Sequence, residues 1–115
     1  MKSDKKAIDE LIQCFEDGTT AEKGSCMEAI EYVTKENPEF AENCLDFVIE
    51  HLKGSAPRVK WEACRIIGNV AQRFPDKVKE AIPGLLENTN DKGTVVRWSA
   101  AFVLTETGKS SKEAQ

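Results

Sequence analysis

Cys14, His51 and Asn88 stand 37 residues apart in turn. A thiol, an imidazole and a carboxamide are the groups that a thiol hydrolase uses as nucleophile, base and orienting partner. That chemistry needs contacts of about 3 Å. Equal spacing in a repeating chain works against it, because equivalent residues then fall on successive stacked helices, about 8 to 10 Å apart. The three residues read as a ladder along one face, and no catalytic residue is assigned.

Metal and cofactor chemistry fare no better. Cys14, Cys26, Cys44 and Cys64 contain no C-x-x-C pair, and His51 is the single histidine. Thiolate and imidazole ligands must converge on one ion, whereas these cysteines fall on different helix-like segments. The glycines at 18, 24, 54, 68, 84, 93 and 108 form neither a phosphate-binding loop nor a dinucleotide fingerprint. The expectation is a protein that is not an enzyme and uses no metal and no cofactor. The cysteines read as reduced packing residues, which suits a cytoplasmic location. The acids Asp4, Asp9 and Glu10 interrupt any signal-peptide core near the N-terminus, and no apolar run approaches the roughly 18 residues of a membrane span.

What the sequence does contain is a period. A shift of 37 residues aligns Ile8 with Leu45 and Ile82, Leu11 with Val48 and Leu85, and Ile12 with Ile49 and Leu86. The same shift aligns Cys26, Ala63 and Ala100, then Ala29, Ile66 and Val103, then Ile30, Ile67 and Leu104. Within each unit the apolar positions recur at spacings of three and four, as in Val59, Ala63, Ile66, Ile67 and Val70, which is the signature of an amphipathic helix. No segment alternates strictly, so strands are not supported. The reading is a single all-α domain over residues 1–115, with repeats at approximately 1–37, 38–74 and 75–111.

Punctuation divides the chain into about six helices, near 4–16, 20–36, 38–53, 57–73, 76–89 and 94–107. Thr19 with Glu22 fits a capping box, Asn37 precedes a proline suited to a first helical position, and Gly18 and Gly54 fit helix stops. Short connections force antiparallel neighbours, so each unit is a helical hairpin that must stack on the next to bury its apolar stripe.

The segments VKWEACRIIGNVA from Val59 and VRWSAAFVLTETG from Val96 resemble the second helix of HEAT repeats. The resemblance is weaker in the first repeat, where Glu22 and Gly24 stand in place of valine and tryptophan. It implies a right-handed α-solenoid, an α-α superhelix of three HEAT-like helical hairpins whose second helices line a concave face. In that family such a face serves scaffolding and protein recognition, with a subset acting on alkylated DNA.

Once core positions are removed, the second helices leave a stripe of Arg58, Trp61, Arg65, Asn69 and Gln72, joined one repeat later by Trp98, Phe102 and Glu106. Register places Trp61 beside Trp98 and Arg65 beside Phe102, a continuous aromatic and cationic patch. Tryptophan and arginine supply area and oriented donors at binding hot spots. The competing reading keeps both tryptophans half-buried between hairpins, as Trp often is. The expected partner-binding set is Arg58, Lys60, Trp61, Arg65, Asn69, Arg97, Trp98 and Phe102.

The chain carries a net charge of -4, and the imbalance belongs to residues 1–37, with nine acids against five bases. Residues 55–74 reverse it locally, setting Arg58, Lys60, Arg65 and Arg73 against Glu62. That excess points to an acidic peptide or protein, with nucleic acid as the alternative through phosphate contacts. The last helix is apolar over a wide arc, from Val95 to Leu104. Terminal repeats should be polar outside, so either the tail GKSSKEAQ folds over it or it packs on a second copy or another protein, making a homo-oligomer one expectation.

Overall fold

The computed structural model describes the backbone of residues 2–114 and the side chains of residues 6–107. Six α-helices follow one another: α1 (Lys2–Asp17), α2 (Thr20–Glu36), α3 (Leu45–Glu50), α4 (Pro57–Val70), α5 (Pro75–Asn88) and α6 (Thr94–Ala114), with a 3-10 segment at Pro38–Asn43 ahead of α3. No strand occurs among the described residues.

Local chemistry sets the boundaries. Thr19 Oγ1 accepts from the Glu22 amide at 3.2 Å while the Thr19 amide donates to Glu22 Oε1 at 2.9 Å, the reciprocal capping box that the sequence predicts. Those bonds hold the Glu22 carboxyl below its usual range. Gly54 has φ +124, the described position whose backbone demands glycine, and it turns the chain out of α3.

The third helix departs from expectation. Instead of one helix over 38–53, the chain winds tightly through Pro38–Asn43 and resumes as α3. Asn37 caps nothing with its side chain, and i to i+3 bonds join Phe40 to Asn37 and Cys44 to Ala41. At three residues per turn Ala41 and Cys44 eclipse one another, and both are buried with Phe40. An α-helical pitch would turn Cys44 about 60° away from Ala41, so the tighter winding serves burial of that pair.

Helices α2, α4 and α6 pack side by side with α4 in the middle, while α1, the 3-10 and α3 stretch, and α5 form a second row against them. The shortest dimension is 19 Å, the thickness of two helix layers at about 8 to 10 Å each. This is the stacked hairpin architecture that the period implies. Ile66, Ile67, Leu45, Val48 and Ala63 of the central repeat are all fully buried, being covered from both sides. Of their counterparts in the flanking repeats, Leu11, Cys26 and Leu104 are partly exposed, while Ile8, Ile30, Leu85, Ala100 and Val103 stay buried. The tail does not fold back over the last helix, because α6 continues through Ala114. The side chains of residues 108–115 lie outside the described residues.

Candidate functional site

On α6, two apolar faces compete for one helix. Val96, Ala100 and Val103 point into the core, which leaves Val95, Trp98 and Phe102, spaced three and four apart, turned outward. They are 51%, 73% and 66% exposed. The opposite wall comes from Glu31 and Lys35 on α2 and from Arg65, Gly68 and Asn69 on α4, and together they enclose an open groove of about 880 Å³. Gly68 permits the close approach of α4 and α6, since a Cβ there would stand 3.1 Å from the Val103 Cγ2.

Beneath this groove lies a polar cluster. Asn69 Nδ2 donates to the Glu31 carboxylate at 2.9 Å and to the Glu31 carbonyl at 3.1 Å. The Arg65 guanidinium lies 3.6 Å from Glu31 Oε1 and 3.5 Å from Glu62 Oε1. Glu31 and Glu62 are only 7% and 2% exposed, and Glu62 Oε1 is buried without a hydrogen-bond partner. Burial pushes the Glu62 carboxyl above its usual range; Arg65 opposes the shift, and Glu31 adds to it.

The predicted binding residues divide. Arg65, Asn69, Trp98 and Phe102 line the groove together. Trp61 is half-buried and lies outside the groove, so the expected continuous pairing with Trp98 is replaced by α6 aromatics alone. Lys60 is buried and its Nζ bonds the Asp91 carboxylate, holding that carboxyl below its ordinary range. It sits one residue, about 100°, around α4 from Trp61 and therefore faces the α5–α6 connection. Arg97 donates to the carbonyls of Asp91 and Lys92 at 3.0 and 3.1 Å and to Thr94 Oγ1 at 3.2 Å, bracing the same connection. Arg58 pairs with Glu28 at 2.8 Å on the surface of α2. Of the local cationic excess, Arg58, Lys60 and Arg65 are answered by acids from other elements.

Glu31, which lines the groove, and Glu62, buried behind Arg65, are the acids that sequence reasoning did not place at the site. A signal existed: Glu31 occupies a core position in the series Gly24, Met27, Glu31 and Thr34, all buried, and Glu62 does so beside Val59, Ala63 and Ile66. A carboxylate on an apolar stripe marks a buried charge that needs a partner.

The hydrolase-like ladder does not converge. Cys14 is exposed, the His51 ring packs edge-on to Phe15 with Nδ1 2.8 Å from the Phe47 carbonyl, and Asn88 is buried, donating to the Leu52 carbonyl at 3.0 Å. Cys44 and Cys64 are packing residues whose thiols burial pushes up to about 11. Cys14 and Cys26 instead line a shallow surface depression. Among the described residues no cluster of His, Cys, Asp or Glu could hold a metal ion, and no helix is long and apolar enough to cross a membrane.

Residues 57–106, from the start of α4 well into α6, match the family model described as HEAT-like repeat. The matched stretch is similar to a HEAT-like repeat, and the stacked helical hairpins of the whole chain are consistent with that kind of helical-repeat fold. No curated protein and no solved structure matches the chain.

Proposed function

We propose that this protein is a non-catalytic cytoplasmic adaptor that binds a peptide segment of a partner protein in the groove between α4 and α6. The observation that carries this reading is the exposure of Trp98 and Phe102, one helical turn apart on the groove wall. Large aromatics left in water side by side mark an interaction surface, because a monomer gains nothing from exposing them. Trp98, Phe102 and Val95 supply apolar area, while Arg65 and Asn69, fixed by Glu31, present a rigid polar border. Prior fixing lowers the entropy cost of binding.

The test is selection from a displayed library of random peptides against the wild-type protein, followed by titration of the selected peptides against wild type and Trp98→Ala. The expected result is a set of peptides whose binding is lost in the variant. If the selected peptides bind both proteins equally, the groove is not the site. Self-association would cover the same surface, and concentration-dependent light scattering that reports a dimer abolished by Trp98→Ala would replace the peptide reading.

A further inference from the structure

The three helices that bound the groove set the conformation of its ligand, an inference that rests on the peptide-binding reading above. The groove runs along α4, with α2 and α6 as its banks. Those banks stand two helix spacings apart, about 16 to 20 Å between axes, and a single helix of about 10 Å diameter seated over α4 spans that gap. Val95, Trp98 and Phe102 form one stripe on the α6 bank, about 10 Å or two helical turns long. An extended peptide fits this surface poorly, because its backbone amides and carbonyls need partners. No strand edge exists among the described residues to supply them, and Asn69 Nδ2 already donates to Glu31. A helix arrives with its backbone bonds made and needs only apolar cover.

The charged lining of the groove balances. Glu31 and Arg65 face one another across the α2–α4 seam at 3.6 Å, while Lys35 on α2 and Glu106 on α6 are exposed on opposite banks. Complementarity therefore asks for a placement of charges in the ligand and not for a net charge. We infer that the groove takes an amphipathic helix whose large apolar residues, three and four apart, cover Val95, Trp98 and Phe102. An acid on one flank of that stripe meets Lys35, and a base on the other meets Glu106. The two flanks fix the direction and rotation of the bound helix, which the apolar stripe alone leaves open.

The selected peptides read this out. In binders that lose affinity for Trp98→Ala, alanine scanning should find the essential residues three and four apart. Proline at a central position where alanine is neutral should weaken binding by about a hundredfold, the effect of breaking a helix interior. A covalent staple between two such neutral positions four apart should tighten it by about tenfold, because the helix is then formed before binding. At low salt, Lys35→Glu should weaken the parent peptide by about threefold, and changing the peptide's acid to lysine should restore it. Trp98-dependent binders whose essential residues alternate in twos, or that accept the central proline, would overturn the inference and leave the peptide-binding reading standing. Equal affinity of the parent peptide for wild type and Lys35→Glu at low salt would overturn it too. A library that yields no Trp98-dependent binder would overturn both readings.

Discussion

The Asn69 carboxamide on α4 holds both the carboxylate and the carbonyl of Glu31 on α2, at 2.9 and 3.1 Å. One side chain thereby ties the first repeat to the second and fixes the acid beneath the groove. Replacing it by alanine leaves a buried carboxylate with a distant guanidinium as its remaining partner. Asn69→Ala should lower stability by about 1 to 3 kcal/mol, measured as a shifted midpoint in urea unfolding. An unchanged midpoint would mean that the bonds are not formed in solution.

Trp98 behaves in the opposite way. It is 73% exposed, and exposed substitutions away from caps and cores stay within about 0.5 kcal/mol. Trp98→Ala should melt with the wild type while losing its peptide ligand. A drop of several kcal/mol would place the indole in the core and remove it from the binding surface.

Glu62 sets a pH dependence with a definite sign. Its folded carboxyl is raised above the ordinary value by burial, so the folded state binds the proton more tightly than the unfolded chain does. The associated stability is present below the unfolded value and is lost as pH rises through the folded one. Glu62→Gln removes the buried charge while Arg65 keeps Glu31. The variant should be more stable than wild type at neutral pH by about 1 kcal/mol, the order of cost for an unsatisfied buried group. The gap should close as pH falls toward 4.5, the unshifted carboxyl value. Thermal melts across that range check it, and a constant gap would contradict the assignment.

Lys60 and Asp91 join α4 to the connection before α6 and are both largely buried. Lys60→Met keeps the aliphatic stem but strands the carboxylate, with an expected cost of about 2 kcal/mol. Because the folded Asp91 carboxyl is depressed, by Lys60 above all, this contribution is present above the unfolded carboxyl value and disappears as pH falls through the folded one. The difference between Lys60→Met and wild type should shrink in acid.

Nucleic acid should not compete for the groove. Arg58, Lys60, Arg65 and Arg97, the cations that the sequence marks for phosphate contact, are each bonded internally, and each would have to give up its partner to displace counterions from phosphate. Titration of labelled duplex DNA at low salt should show no steep salt-dependent binding. Tight binding that collapses with added salt would revive the phosphate reading.

Much of the fold was legible because the period constrains it. Ile30 with Ile67 and Ala63 with Ala100 occupy equivalent buried columns, and a column repeated at fixed spacing specifies stacking without any knowledge of loops. The capping box at Thr19 and the glycine turn at Gly54 were legible for the same local reason, since each needs only its own few residues. The 3-10 winding at Pro38–Asn43 was not, because Ala41 and Cys44 adopt it to satisfy packing against other helices. At the site, Trp98 and Phe102 stood out as apolar residues outside the core stripe, but the destiny of the cations did not. Lys60 finds Asp91 and Arg58 finds Glu28 at separations of 31 and 30 residues, pairings that a charge count over residues 55–74 could not register.

Helix α6 does two jobs, packing its inner face against α4 and α5 and forming the aromatic wall. Helix α4, by contrast, is covered by α2 on one side and α6 on the other. Whatever grips Trp98 and Phe102 from the groove also bridges α6 to α4 and α2, acting as a splint on the less covered helix. Occupancy should therefore slow amide exchange along α6 more than along α4, so that hydrogen exchange reports on the ligand before any change in shape.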